Sequence, residues 1–291
     1  MQVLDYISAN SVQEVVGLLT SNNGMARVLS GGTDLIVQLR ENRRKAELLI
    51  DLKNISELTS INYDPQSGLW IGAAASCSEI CRNKSVLEMY PGLVDAIRLI
   101  GGVQIQSRAS VGGNLCNASP AADSVPALII HNAKCLIVNR DGTYEVPVEQ
   151  FCIAPGKNIL QDGEFLLAIL VPVTPENFGA HYLRFIPRNE MDIAVVGAGV
   201  SVTLDETKQK ILSARIALGA VAPTPLLVEE AGSFLADKEI TQDNIQEAAQ
   251  IAQATARPIS DLRGTAEHRK HLCAVLVRRA LEKAIERARA S

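Results

Sequence analysis

Apolar and polar positions alternate along this chain at two different periods, and the change of period marks its elements. Val12, Val15, Val16 and Leu19 share one face of a 3.6-residue repeat. Ser11 precedes them with Glu14 three residues on, so a helix is predicted over Ser11–Leu19, ended by Asn22-Asn23-Gly24. Ala26–Leu29 and Leu48–Leu52 are short apolar runs of strand length, and between them Thr33 is placed to cap a helix through Leu39. Strand, helix and strand at this spacing predict a small α/β unit. Trp70–Ala74 is a further strand, and Ser76–Val86 and Pro91–Ile100 read as helices. Cys135–Val138 and Tyr144–Val148 bracket Asp141-Gly142, a hairpin signal. Glu164–Val171 is one more strand, closed by Pro172.

The pattern changes after Thr174-Pro175-Glu176-Asn177-Phe178-Gly179, where a domain boundary is expected. Leu183–Ile186, Ile193–Leu204 and Ile211–Leu218 read as three strands, and helices are predicted over 227–236, 242–256 and 266–289. In the last of these Cys273, Leu276, Val277, Ala280 and Leu281 fall on one side, opposite Arg278, Arg279, Glu282, Glu286 and Arg289.

Composition narrows the function. With 47% hydrophobic residues, 4% aromatics and a formal charge of −4, the chain is globular and carries neither the basic face nor the stacking residues of a nucleic-acid binder. The six cysteines form no CxxC, which suits buried free thiols in a reducing cytoplasm better than a metal site. The opening residues Met1-Gln2-Val3-Leu4-Asp5-Tyr6 lack the basic and apolar regions of a signal peptide, and no apolar run approaches membrane-spanning length.

Two glycine pairs stand out, Ser30-Gly31-Gly32-Thr33-Asp34 and Ser110-Val111-Gly112-Gly113-Asn114. Each lies beside polar residues and a helix start, where backbone N–H groups can meet an anion. The bland alternative is a pair of turns. Neither is a Walker A loop, and Gly197-Ala198-Gly199 lacks the third glycine of a dinucleotide fingerprint and continues as strand. Asp123 either orients a ligand hydroxyl or caps the following helix. Arg184 and Arg188 either meet a ligand anion or lie exposed. His268 and His271, three apart, are surface residues or two ligands lacking a third. No acid–base or nucleophile set accompanies them, so no catalytic residue and no metal site is expected, and a bound cofactor would carry the chemistry.

Ser30–Leu35, Ala109–Asn114, Ala118–Asp123 and Met191-Asp192-Ile193-Ala194 resemble the FAD-binding medium subunit of molybdenum hydroxylases, the xanthine dehydrogenase and carbon monoxide dehydrogenase family. Glu267–Leu272 and Val277–Leu281 extend the resemblance to the carboxyl end. It implies an α+β fold: a two-subdomain FAD-binding domain of the vanillyl-alcohol-oxidase type over 1–176, divided near 57, then a carboxyl-terminal domain of three strands and a helical bundle over 178–291. It implies non-covalent FAD on Val28, Leu29, Ser30, Gly31, Gly32, Thr33, Asp34 and Leu35, with Gly112, Gly113 and Asn114 on the other side of the diphosphate, Ser110 nearby and Asn117 a further cofactor-binding residue. Ile100, Gly101, Leu166, Arg184 and Ile193 would lie at the cofactor's rings, and Asp123 would bond its polar chain. Gly32 and Gly113 would meet on one diphosphate. The implied function is electron transfer from the [2Fe-2S] clusters of a partner through FAD to an acceptor such as NAD. A molybdopterin-bearing subunit would complete a dimer of heterotrimers. A stand-alone flavin oxidase and a flavin-free scaffold are the competing readings.

Overall fold

The computed structural model describes residues 4–22 and 24–291, so Asn23 of the predicted helix stop and Met1, Gln2 and Val3 lie outside the described residues. The first layer is a three-stranded parallel sheet in the order β1-β3-β2. It comprises β1 (Asp5–Ser8), α1 (Val12–Ser21), β2 (Ala26–Leu29), α2 (Leu35–Arg40) and β3 (Leu48–Asp51). Ser11 caps α1 as its spacing predicts, its hydroxyl accepting from the Glu14 N–H at 3.2 Å. Thr33 does not cap α2: Asp34 holds that position in helical conformation, and no side chain bonds the first-turn N–H groups.

A second sheet is antiparallel, in the order β4-β5-β10-β6-β7. Along the chain come α3 (Ser56–Thr59), β4 (Ile61–Asp64), β5 (Gly68–Gly72), α4 (Cys77–Ile80), α5 (Lys84–Met89), α6 (Pro91–Ile97), α7 (Val103–Gln106), α8 (Val111–Cys116) and α9 (Ser124–Ile130). Then follow β6 (Lys134–Asn139), β7 (Gly142–Pro147), the short pair β8 (Cys152–Ala154) and β9 (Lys157–Asn158), and β10 (Phe165–Val171). The hairpin forms as expected, but its turn is Arg140-Asp141, one residue earlier than Asp141-Gly142, and Gly142 opens β7 opposite Asn139. The helix predicted over Ser76–Val86 is two helices, because Asn83 breaks the first and caps the second by accepting from the Val86 N–H at 3.2 Å. Strand β4 has no counterpart in the sequence reading. It is a four-residue hairpin partner whose turn is held by Asp64, which accepts from the N–H groups of Gln66 and Ser67.

The third sheet holds β11 (Phe178–Phe185), β12 (Val196–Leu204), β13 (Lys210–Gly219) and β14 (Leu226–Leu227) in that order. Helix α10 (Glu229–Leu235), strand β15 (Lys238–Glu239), α11 (Gln242–Thr255) and α12 (Ala266–Ala290) complete the chain. Its predicted buried face is buried: Cys273, Leu276, Val277, Ala280 and Leu281 pack onto β11 and β12. Gly197-Ala198-Gly199 is central strand, as read. Two strand starts are corrected. β11 begins five residues before Leu183, and β12 begins at Val196 because Ile193 sits in a loop with Met191 at positive φ.

Helix α9 is buried on every side, between the first domain's helices and β12 and β13. At its end His131 lies between the rings of Tyr90 and Phe178. Its Nδ1 donates to the Ala127 carbonyl at 2.7 Å, while Nε2 is buried without a partner. Burial pushes its pKa down to about 4. Because the native value lies below the unfolded one, the stability this group contributes is present above about pH 6.5 and lost as pH falls toward 4. That loss is about 3 kcal/mol. We expect His131→Leu to lose less stability than the parent between pH 7.5 and 4.5 in urea melts. Equal losses would rule out a buried neutral imidazole.

Candidate functional site: a cleft between two glycine loops

The loop after β2 and the loop before α8 are far apart in sequence and meet in the fold. Ser30 Oγ lies 2.7 Å from Ser110 Oγ, and Gln38 Nε2 donates to Asn117 Oδ1 at 2.9 Å. Between them opens a cleft of about 230 Å³. Val28, Leu29, Ser30, Gly31, Gly32, Thr33, Asp34, Leu35, Ile100, Ser110, Gly112, Gly113, Asn114, Asn117 and Leu166 all line it. Among the described residues, the N–H groups of Gly31, Gly32, Thr33, Asp34 and Leu35 donate to no protein acceptor. The absent side-chain cap on α2 is part of this: Leu35, its first residue, keeps its N–H free, while Ile36 donates to the Gly32 carbonyl at 3.1 Å.

The glycines work differently from the expectation that both pairs admit a ligand. A Cβ on Gly31 would stand 1.9 Å from the Arg108 carbonyl oxygen, and one on Gly112 would stand 2.4 Å from that of Ala73. Gly31 lets the first loop pack on the backbone of the second, and Gly112 lets the start of α8 pack on the segment after β5. Gly32 has φ +75°, the left-handed region, and its Cβ would face the Leu29 and Ile36 side chains. Gly113 would meet only Ser110 Oγ, at 2.9 Å.

Four expected residues lie off the cleft wall: Gly101, Asp123, Arg184 and Ile193. Ile193 is 51% exposed, in the loop before β12. Gly101 follows Ile100 at positive φ. Asp123 is not a cap: its backbone is helical and its side chain bonds no helix N–H. Instead it accepts from the Tyr182 hydroxyl at 2.8 Å and from Arg184 Nη1 at 2.6 Å, both brought in by β11. Burial pushes the Asp123 carboxyl up to about 6 against the pull of Arg184 and Tyr182. Its neighbour Ser124 donates from Oγ to Asn114 Oδ1 at 2.7 Å, so this layer orients a residue of the wall. Arg188 pairs with Asp192 at the surface, and His268 and His271 are exposed. Among the described residues no group of His, Cys, Asp or Glu forms a metal site, and no helix is long and apolar enough to cross a membrane. All six cysteines are free.

The reading of the residues missed Arg27, Gln38, Arg44, Asn158, Leu160, Glu164 and Phe165, which also line the cleft. Gln38 was reachable, being one turn beyond Leu35 on α2. Arg27 and Arg44 bring positive charge. Arg27 Nη1 bonds the Gly24 and Ala26 carbonyls at 2.6 and 2.9 Å, and its Nε is buried without a partner. Burial, reinforced by Arg44, lowers its pKa. Cys116 is a thiol on the wall, and burial pushes it up to about 12, which leaves it a poor nucleophile for covalent attachment.

A band of free N–H groups, hydroxyls and amides flanked by Leu29, Leu52, Ile100, Leu160, Phe165 and Leu166 suits a ligand with a charged middle and flat apolar ends. That is the chemistry of a dinucleotide, and fold and cleft together define a dinucleotide-binding α+β protein. The family described as "FAD binding domain in molybdopterin dehydrogenase" matches residues 2–174, and "CO dehydrogenase flavoprotein C-terminal domain" matches 181–284. The chain is 29% identical over 281 residues to the xanthine dehydrogenase FAD-binding subunit of Escherichia coli O157:H7, covering 96% of this chain and 95% of that one. It is 31% identical over 290 residues to the carbon monoxide dehydrogenase medium chain of Afipia carboxidovorans, covering 98% of each. The crystal structure of a cyanide-inactivated Cu,Mo-CO dehydrogenase superposes with a TM-score of 0.93 at 30% identity, over 98% of this chain and 99% of that one. This chain belongs to the family of FAD-binding medium subunits of xanthine and carbon monoxide dehydrogenase-type oxidoreductases.

Proposed function

We propose that the chain holds FAD in this cleft and relays electrons from the [2Fe-2S] clusters of a partner subunit to a final acceptor such as NAD, within a cytoplasmic dimer of heterotrimers completed by a molybdenum subunit. The observation that carries the reading is the run of free N–H groups from Gly31 to Leu35 in a loop that lines one cleft together with the second glycine loop. Those donors would take the diphosphate, with Ser30, Ser110, Asn114 and Asn117 opposite. Leu166 and Ile100 would cover apolar ring surface. FAD, when bound, supplies the step between one-electron and two-electron chemistry. The chain's own part is to bind, orient and shield it.

Glu164 argues against a stand-alone oxidase. It accepts from Asn139, Tyr144 and the Gln161 N–H, and these bonds hold its carboxyl below the usual range although burial opposes them. A carboxylate so bound is a poor general base near neutral pH. The purified complex should show a flavin spectrum with iron–sulfur bands and release about one FAD per chain. The isolated chain should retain FAD and take electrons only from the reduced partner. Substrate turnover by the isolated chain would overturn the relay reading.

A further inference from the structure

The first glycine loop can present its N–H groups only if its peptides face the right way, and glycines at 31 and 32 make that orientation cheap to lose. In a trans peptide the carbonyl and the following N–H point in opposite directions. The peptide between Ser30 and Gly31 therefore sends either an N–H or a carbonyl oxygen into the cleft. A carbonyl there would repel a diphosphate.

One side chain outside the cleft wall acts on this choice. Lys53, two residues past β3, donates from Nζ to the Ser30 carbonyl oxygen at 3.2 Å. The same ammonium pairs with Asp51 Oδ1 at 2.5 Å. Asp51 is buried, and its other oxygen accepts from the Tyr6 hydroxyl at 2.6 Å. Asp51 Oδ1 also accepts from the Lys53 backbone N–H at 2.9 Å, which fixes where the lysine stem begins. The ammonium is thus anchored from behind by β3 and reaches forward to a single carbonyl. Across the loop, Ser30 Oγ meets Ser110 Oγ, which accepts from the Gly113 N–H at 3.0 Å. Ser30 is held on both its carbonyl and its hydroxyl.

We propose that Lys53 is a positioning residue that locks the Ser30–Gly31 peptide with its carbonyl away from the cleft, so that the Gly31 N–H faces the cofactor diphosphate. This rests on the FAD reading of the cleft. Lys53 does not itself line the cleft and contributes through the wall peptide it holds. Its partner Asp51 supplies the anchor, and Tyr6 keeps that carboxylate in place.

The test is FAD titration into the deflavinated full chain, with ADP and riboflavin as second and third ligands. Lys53→Met should weaken FAD about ten- to hundredfold, the cost of one charge-assisted hydrogen bond and the peptide it holds. ADP, which carries the diphosphate, should weaken by a similar factor, and riboflavin, which lacks it, should not change. Lys53→Arg, which can still donate to both oxygens, should restore binding. Since Lys53→Met alone leaves a buried carboxylate unpaired, Asp51→Asn/Lys53→Met removes that charge and should show the same ADP-selective loss in a chain whose circular dichroism matches the parent. Equal FAD and ADP affinity in parent and double variant would overturn the lock. So would a loss shared equally by riboflavin, which would mean general damage to the cleft. A parent chain that takes up no FAD would instead remove the flavin reading and the lock with it.

Discussion

Gly31→Ala is expected to leave the chain folded but nearly devoid of FAD. One methyl group suffices, because the Cβ would stand 1.9 Å from the Arg108 carbonyl oxygen and 2.6 Å from its carbon. Both atoms are backbone, so no side chain can swing aside. The loops must part, and the Ser30–Ser110 contact and the facing N–H groups part with them. Hydrogen bonds to a charged group contribute about 1.5–3 kcal/mol each, so losing two weakens binding on the order of a hundredfold or more. Gly112→Ala should act the same way through the Ala73 backbone, and the double variant should be little worse than either single, since both open one site. Gly113→Ala is the control: it meets only the Ser110 hydroxyl and should bind FAD far better. Gly32→Ala falls between them, since its positive φ costs about 1–2 kcal/mol but its Cβ meets only flexible side-chain ends. The measurement is FAD stoichiometry and Kd on deflavinated protein, with circular dichroism as the fold control. Full occupancy in Gly31→Ala would show that the loops need not touch.

The contrast between Gly31 and Gly113 shows how far the sequence could be read. Both glycine pairs were visible as loops beside helix starts, and both line one cleft. What each glycine does was not legible, because it depends on which backbone lies opposite. Arg108 and Ala73 are brought there by the fold, not by neighbourhood in the chain. The same holds for Asp123. Beside a helix start, a lone aspartate reads as a ligand contact or a cap, yet its partners are 59 and 61 residues away on β11. Local patterns were legible where the cause is local: the Ser11 cap, the β6–β7 hairpin and the apolar side of α12. They failed where a side chain interrupts a periodic run, as Asn83 does. Arg44 and Asn158 carry no local mark of the site, since a loop and the two-residue strand β9 bring them to the cleft only through tertiary packing.

Asp123→Ala should be among the most destabilising single changes in the chain. Arg184 and Asp123 side chains are 5% and 9% exposed, and the guanidinium Nε is already buried without a partner. Removing the carboxylate strands that guanidinium in the interior, at a cost of about 3–5 kcal/mol. It also leaves the Tyr182 hydroxyl without its acceptor. A Tm fall on the order of 10 °C follows for a chain of this size. The native carboxyl sits above its ordinary range because burial outweighs its two partners, so its contribution to stability is full below the unfolded value and declines as pH rises through about 6. The penalty of the variant should therefore come chiefly from the unpaired arginine. Asp123→Leu/Arg184→Met tests this directly, since replacing a buried pair with apolar groups is often neutral where removing one partner is not. We expect the double variant to regain most of the lost Tm. Its FAD affinity then separates two roles: affinity that returns with the Tm means that Asp123 acts by holding β11 behind Asn114, and affinity that stays low means that the carboxylate itself bonds the cofactor. A single variant that melts with the parent would remove the ion pair from the account of this fold.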